Sequence, residues 1–106
     1  MERWFRGTTP RHWFDVPFSK NEFTVINIAY AQARKVVLEK TLTDIKFLPA
    51  ETGCRLELHL TQEDTLKFRD GIEVECQIRA CVNGEWIACD IMTASVERIL
   101  RDGVLE

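Results

Sequence analysis

Apolar and polar residues alternate most strictly between Ile72 and Val82. Ile72, Val74, Cys76, Ile78, Ala80 and Val82 take one side; Glu73, Glu75, Gln77, Arg79 and Cys81 take the other. A period of two is that of a β-strand with one wet face. Asn83-Gly84 follows, two residues that tolerate positive φ, as a type I′ hairpin turn requires. The register of the returning strand follows from a two-residue loop. Val82 faces Glu85, Ala80 faces Ile87, Ile78 faces Cys89 and Cys76 faces Ile91, the last three apolar on apolar, so the two strands are expected to share one buried face. Cys81 then lies opposite Trp86 on the outer face, and Met92 is expected outward as well.

The same alternation recurs upstream. Cys54, Leu56, Leu58 and Leu60 alternate with Arg55, Glu57 and His59, a half-buried strand whose His59 faces water. "DIKFL" (44–48), followed by Pro49 and Gly53, is expected to pair with it as a second hairpin. "HWFDVPF" places Phe14, Val16 and Phe18 on one face, and Pro17 marks it as an edge strand.

The segment 23–41 is ambiguous. Ile26, Ile28 and Tyr30 alternate and Val36-Val37 are β-branched, which predicts two strands, about 23–31 and 35–41, joined near Gln32-Ala33-Arg34. Ala29, Ala31, Ala33, Arg34 and Leu38 would equally suit one amphipathic helix of about five turns.

Two helical pieces complete the pattern. In "LTQEDTLKF" (60–68) Leu60 ends a strand, Thr61 can cap a short helix, and Asp64 stands where a capping box places its acid. Leu66 and Phe68 then fall inward, while Gln62 and Glu63 face water. In "SVERILRDGVLE" the spacing of Val96, Ile99 and Leu100, with Ser95 as N-cap and Gly103 as stop, predicts a C-terminal helical turn. About seven short strands at regular spacing predict an all-β sandwich or barrel, with a helical corner near 61–67.

Composition narrows the function classes. A chain of 106 residues, 45% hydrophobic, is one domain over 1–106 with a core of its own. The net charge of −3 argues against a strong field for nucleic acid or an anionic membrane. Residues 1–40 hold seven Lys/Arg against four acids, and residues 41–106 seven against thirteen, a split that a folded domain need not keep. Arg3, Arg6 and Arg11 interleave with Trp4, Phe5, Trp13 and Phe14, a mixture able to stack bases. The favoured reading is instead a flexible arm over 1–8 with Trp13 or Phe14 entering the core.

No apolar run of signal-peptide or membrane-spanning length is present. The chain is therefore expected in the cytoplasm of the cell that makes it, with reduced thiols. Its four cysteines form no CxxC pair and only His12 and His59 could join them, so no metal or other cofactor is expected. Cys54, Cys76 and Cys89 are expected as small core residues and Cys81 as the exposed thiol, or one covered by Trp86. No Ser/His/Asp spacing, phosphate loop or HExxH appears, so the chain is not expected to be an enzyme.

"RGTTP" (6–10), "YAQ" with "KVVLEKT" (35–41), "LTQEDTLKF" and "SVERILRDGVL" together make the chain resemble a family of small bacteriophage and prophage proteins of Firmicutes. In that family Asn-Gly usually follows "YAQ"; here Ala33-Arg34 stand instead. More distantly, the strand order is similar to the N-terminal immunoglobulin-like sandwich of phage baseplate upper proteins. That likeness implies a single immunoglobulin-like β-sandwich of antiparallel strands and a virion-associated attachment module.

Two functions are expected from these readings. The first is a non-enzymatic structural or assembly component that self-associates or docks on a larger phage protein. Its interface candidates are Trp86, Met92, Cys81, Val104 and Leu105, because an outward Trp gives large contact area at low entropy cost. The second is a small prophage inhibitor that binds a host defence protein, such as a CRISPR nuclease, through an acidic face including Glu57, Glu73, Glu75 and Asp90.

Overall fold

A computed structural model describes residues 3–106. Nine strands and one short α-helix follow in the order β1 (Arg3–Phe5), β2 (Arg11–Val16), β3 (Phe23–Gln32), β4 (Lys35–Thr41), β5 (Lys46–Pro49), β6 (Cys54–His59), α1 (Gln62–Leu66), β7 (Val74–Val82), β8 (Glu85–Ala88) and β9 (Met92–Glu97). They build two sheets, a larger one in the order β1-β9-β7-β3-β4 with β8 also on β7, and a smaller one in the order β2-β6-β5. The core lies between them. Ile26, Ile28, Tyr30, Val74 and Cys76 of the large sheet bury against Leu56 and Leu58 of the small one, with Leu60 and Phe68 beside them. The chain is thus all-β and sandwich-like, with nine strands among the described residues rather than about seven.

The hairpin of β7 and β8 has the register that its alternation predicts: Val82 opposes Glu85, Cys81 opposes Trp86 and Ala80 opposes Ile87. Asn83 and Gly84 turn it with φ of 51° and 85°. Segment 23–41 is the two-stranded alternative and not a helix. Its turn residues Ala33 and Arg34 carry φ of 51° and 65°, the left-handed region in which a Cβ crowds the following carbonyl. Replacing them by Asn-Gly should therefore stabilise the fold by about 1–2 kcal/mol. A higher denaturation midpoint with an unchanged slope would register it; an unmoved midpoint would place the strain elsewhere.

Gly53, between β5 and β6, is required by close approach. A Cβ there would stand 2.0 Å from the Val16 carbonyl oxygen.

Three expectations fail, two through long-range pairing and one through a bulge. Residues 3–8 are not a flexible arm. Arg3–Phe5 pair with Ser95–Glu97, in parallel and not antiparallel, and Trp4 is 6% exposed; Met1 and Glu2 lie outside the described residues. The C-terminal helical turn is absent. Ala94 and Val96 alternate inward along β9, which recruits the would-be cap Ser95 into a strand, and Leu100 is left 92% exposed.

The third failure concerns the residues after β8. Cys89 N–H still donates to the Ile78 carbonyl, but Cys76 opposes Met92 and not Ile91. One extra residue near Asp90-Ile91 therefore reverses the alternation. Met92 turns inward and packs on the core, against the expectation that it points out. The inward face of β8, expected to be buried, lines an apolar cleft with Val16, Pro17 and Phe18 and is exposed at Ile87 and Cys89. Of the cysteine expectations, the one that places Cys89 in the core fails, and the alternative in which Trp86 covers Cys81 holds. Cys89 is the exposed thiol, while Cys81, flanked by Val25 and Trp86 on the adjacent strands, is only 9% exposed.

Candidate functional site

The four sequence motifs that carry the family resemblance converge at one end of the sandwich. Thr61 Oγ1 accepts from the Asp64 N–H at 3.1 Å and Asp64 Oδ2 accepts from the Thr61 N–H at 3.0 Å, a complete capping box. Lys40 Nζ, from "KVVLEKT", lies 3.0 Å from the same Asp64 oxygen. Arg6, from "RGTTP", donates to the carbonyls of Phe68 and Leu66 at 2.7 and 3.0 Å and pairs with Asp102 at 2.9 Å.

Thr65 Oγ1 donates to the Thr8 carbonyl at 2.9 Å. Gln62, expected simply to face water, clasps the Leu105 peptide from both sides, at 3.0 and 2.9 Å. Each of these groups is consumed by another part of the chain. Burial alone would raise the Asp64 carboxyl, yet its bonds to Thr61 and Lys40 outweigh that and hold it below its ordinary value. The corner is a clasp that fastens residues 6–8 and 102–105 to the sandwich.

A buried polar cluster lies inward of it. His12 Nδ1 and the Tyr30 hydroxyl share a hydrogen bond of 2.7 Å, and Trp4 packs on both rings. Burial pushes His12 down to about 4, Cys76 up to about 12 and Tyr30 far up. All three are uncharged near neutrality, and a thiol at about 12 is not a thiolate nucleophile there.

The cluster does impose a pH dependence. The unfolded chain takes up the His12 proton near 6.5 and the folded chain near 4, so its contribution to stability is whole above about 6.5 and is lost as pH falls towards 4. The loss is roughly 2 kcal/mol, discounted for partial exposure of the ring. Denaturation midpoints at neutral and mildly acidic pH should diverge in the native chain and much less in His12→Asn; equal losses in both would assign the dependence to other groups.

The expected interface candidates do not form one patch. Trp86 stands 65% exposed on the outer face of the large sheet. Val104 and Leu105 are exposed but lie beside α1, which leads into the start of β7, whereas Trp86 flanks its end. Cys81 lies beneath the Trp86 side of that outer face, and Met92 faces the core.

The acids separate too. Glu75 faces out from the large sheet; Glu57 faces out from the small one, where it accepts from Trp13 Nε1 at 2.7 Å and pairs with Arg11 at 3.7 Å. Asp90 sits in the link from β8 to β9 and Glu73 just before β7. Glu57 and Glu75 thus point in opposite directions, and no single face carries all four. The basic-aromatic N-terminal mixture is likewise dispersed, with Trp4 in the core and Arg6 in the clasp.

The broadest of the surfaces not consumed in this way is the outer face of the large sheet. Val25, Asn27, Ala29 and Ala31 of β3 point to it between Val36 and Glu39 of β4 and Glu75, Gln77, Arg79 and Cys81 of β7. Small side chains keep its centre flat. Trp86 rises at one end above a shallow groove shared with Asn27, Leu42 and Arg79. At the other end is an open depression edged by Glu73, Thr93, Ser95 and Glu97.

Trp13, which is 55% exposed on the opposite sheet, is pinned by Glu57. Among the described residues no hydrogen bond holds the Trp86 indole, and neither Arg79 nor Glu75 has an ion-pair partner. Arg79, Asn27 and Val25 were not singled out from sequence. The available signal was Glu75 and Arg79, opposite charges four residues apart on one side of a strand.

Among the described residues, no three His, Cys, Asp or Glu side chains gather as metal ligands, and no helix is long and apolar enough to cross a membrane. The fold and this face together describe an all-β sandwich with one large, flat, uncovered sheet surface. Comparison with protein-family models, curated proteins and solved structures gives no match.

Proposed function

We propose that the chain is a non-enzymatic protein-binding module, a phage or prophage component of the structural or assembly kind, that docks through the outer face of its large sheet. The observation that carries this reading is Trp86, a large aromatic left 65% exposed at one end of a sheet face whose central strand presents Ala29 and Ala31. Such residues anchor interfaces. The sheet edge beside that face is less suited to the role. β4 carries the exposed Lys35 and has a bulge at Val37, features that discourage strand addition. The phage assignment rests on the sequence resemblance, and the clasp that joins its four motifs is the architecture that those motifs serve.

Such a component is made in the host bacterium and carried on the particle. It should co-purify with assembled particles. Trp86→Ala should remove it from them while leaving the circular dichroism spectrum and denaturation midpoint unchanged. Particles lacking the chain although the cells express it would contradict the reading.

A further inference from the structure

Along β7 the outer face of the large sheet is self-complementary, and we infer that its partner is a second copy of the same chain, packed face to face across a two-fold axis at Gln77. This rests on the reading of that face as a binding surface and names what it binds. Glu75 and Arg79 lie two residues to either side of Gln77, and all three point outward from β7. Consider two such sheets stacked face to face, with the axis running across the strands through Gln77. The rotation reverses the strand direction, so Arg79 of each copy meets Glu75 of the other and two ion pairs form.

The same rotation accounts for the ends of the face. β8 and β9 flank β7 on one side, β8 along Arg79–Val82 and β9 along Val74–Cys76. Reversal therefore lays each copy's β8 over the other's β9. Trp86 opposes Cys81, four residues beyond Gln77. The position four residues before it is Glu73, level with Ser95 by extension of the Val74–Ala94 pair. The knob at Trp86 thus enters the depression edged by Glu73, Thr93, Ser95 and Glu97, with carboxylates in reach of its indole N–H. Asn27 meets Ala31 of the other copy, while Glu39, level with Gln77 through Ala29 and bonded by Asn27 Nδ2 at 3.1 Å, meets its own counterpart on the axis, a like-charge contact that weakens the pairing.

Four strand positions about 4.8 Å apart and about 25 Å long, the three-residue β1 adding little, give roughly 500 Å² of sheet per copy. That is well below the approximately 800 Å² per partner of a standard stable interface. A reversible dimer with a micromolar dissociation constant is the expected result.

Sedimentation equilibrium of the full chain and its charge variants tests this. The native chain should dimerise. Arg79→Glu and Glu75→Arg should each weaken the dimer about tenfold or more by opposing like charges. The double reversal should return it to within about threefold of native, a rescue that damaged folding cannot imitate. Trp86→Ala should weaken it about tenfold or more. A native chain that stays monomeric up to about 1 mM would overturn self-pairing, and binding to particles would then decide the docking face separately. A dimer indifferent to the single reversals, or not restored by the double one, would overturn this geometry.

Discussion

Replacing Trp4 with Ala should cost about 3–5 kcal/mol of stability, the range for emptying a buried aromatic site. Trp4 packs edge-on against Tyr30 and Phe68 at centroid distances of 6.3 and 5.4 Å and lies 4.7 Å from the His12 ring. Its backbone fixes β1 beside Val96. Chemical denaturation would measure the loss. A cost below about 1 kcal/mol would mean that β1 is a loose arm, since only surface substitutions fall so low. Trp4→Phe should retain most of the stability. It keeps ring contacts and removes an N–H that has no acceptor among the described residues.

Asp64→Ala should cost about 3 kcal/mol, because it removes two things at once. The N-cap exchange with Thr61 contributes about 1 kcal/mol. The remainder is the largely buried Lys40 ammonium, left without the carboxylate 3.0 Å away, a loss that exceeds the worth of the pair itself. Adding Lys40→Met in the Asp64→Ala background should recover at least about 1 kcal/mol, because the unpaired charge is gone. No recovery would show that Lys40 reaches water freely and that the cap accounts for the whole cost.

What the sequence disclosed follows from how local each signal is. β7 and β8 were legible because eleven residues alternate without a break and Asn83-Gly84 can form only a few turns. The corner at 61–66 was legible because Thr61 and Asp64 are the two halves of one local motif. β1 was not. Three residues with one inward side chain carry no period, and their partner lies more than ninety positions away. β9 was misread because Val96, Ile99 and Leu100 match a helical spacing as well as Met92, Ala94 and Val96 match a strand.

The candidate site divides in the same way. Trp86 was placed outward by the hairpin register alone. Met92 was misplaced because one bulge residue near Asp90-Ile91 reverses every direction after it. The split of Glu57 from Glu75 needed the assignment of β6 and β7 to different sheets, which strand patterns do not contain. Gln32 and Gln62 are further losses to sequence reading. Gln32 is buried and bonds the backbone of Arg69 and Ile72, and an amide side chain gives no sign of a partner so far along the chain.

The docking face can be tested directly with 5-fluorotryptophan in place of the three native tryptophans, followed by ¹⁹F NMR. Trp13 and Trp86 are similarly exposed, on opposite sheets, and Trp4 is buried, so each molecule carries its own controls. With rising protein concentration or added particles, the Trp86 resonance should shift or broaden while those of Trp13 and Trp4 hold still. Binding that leaves Trp86 unmoved, or moves Trp13 in its place, would contradict the assignment of the large sheet's outer face as the docking surface.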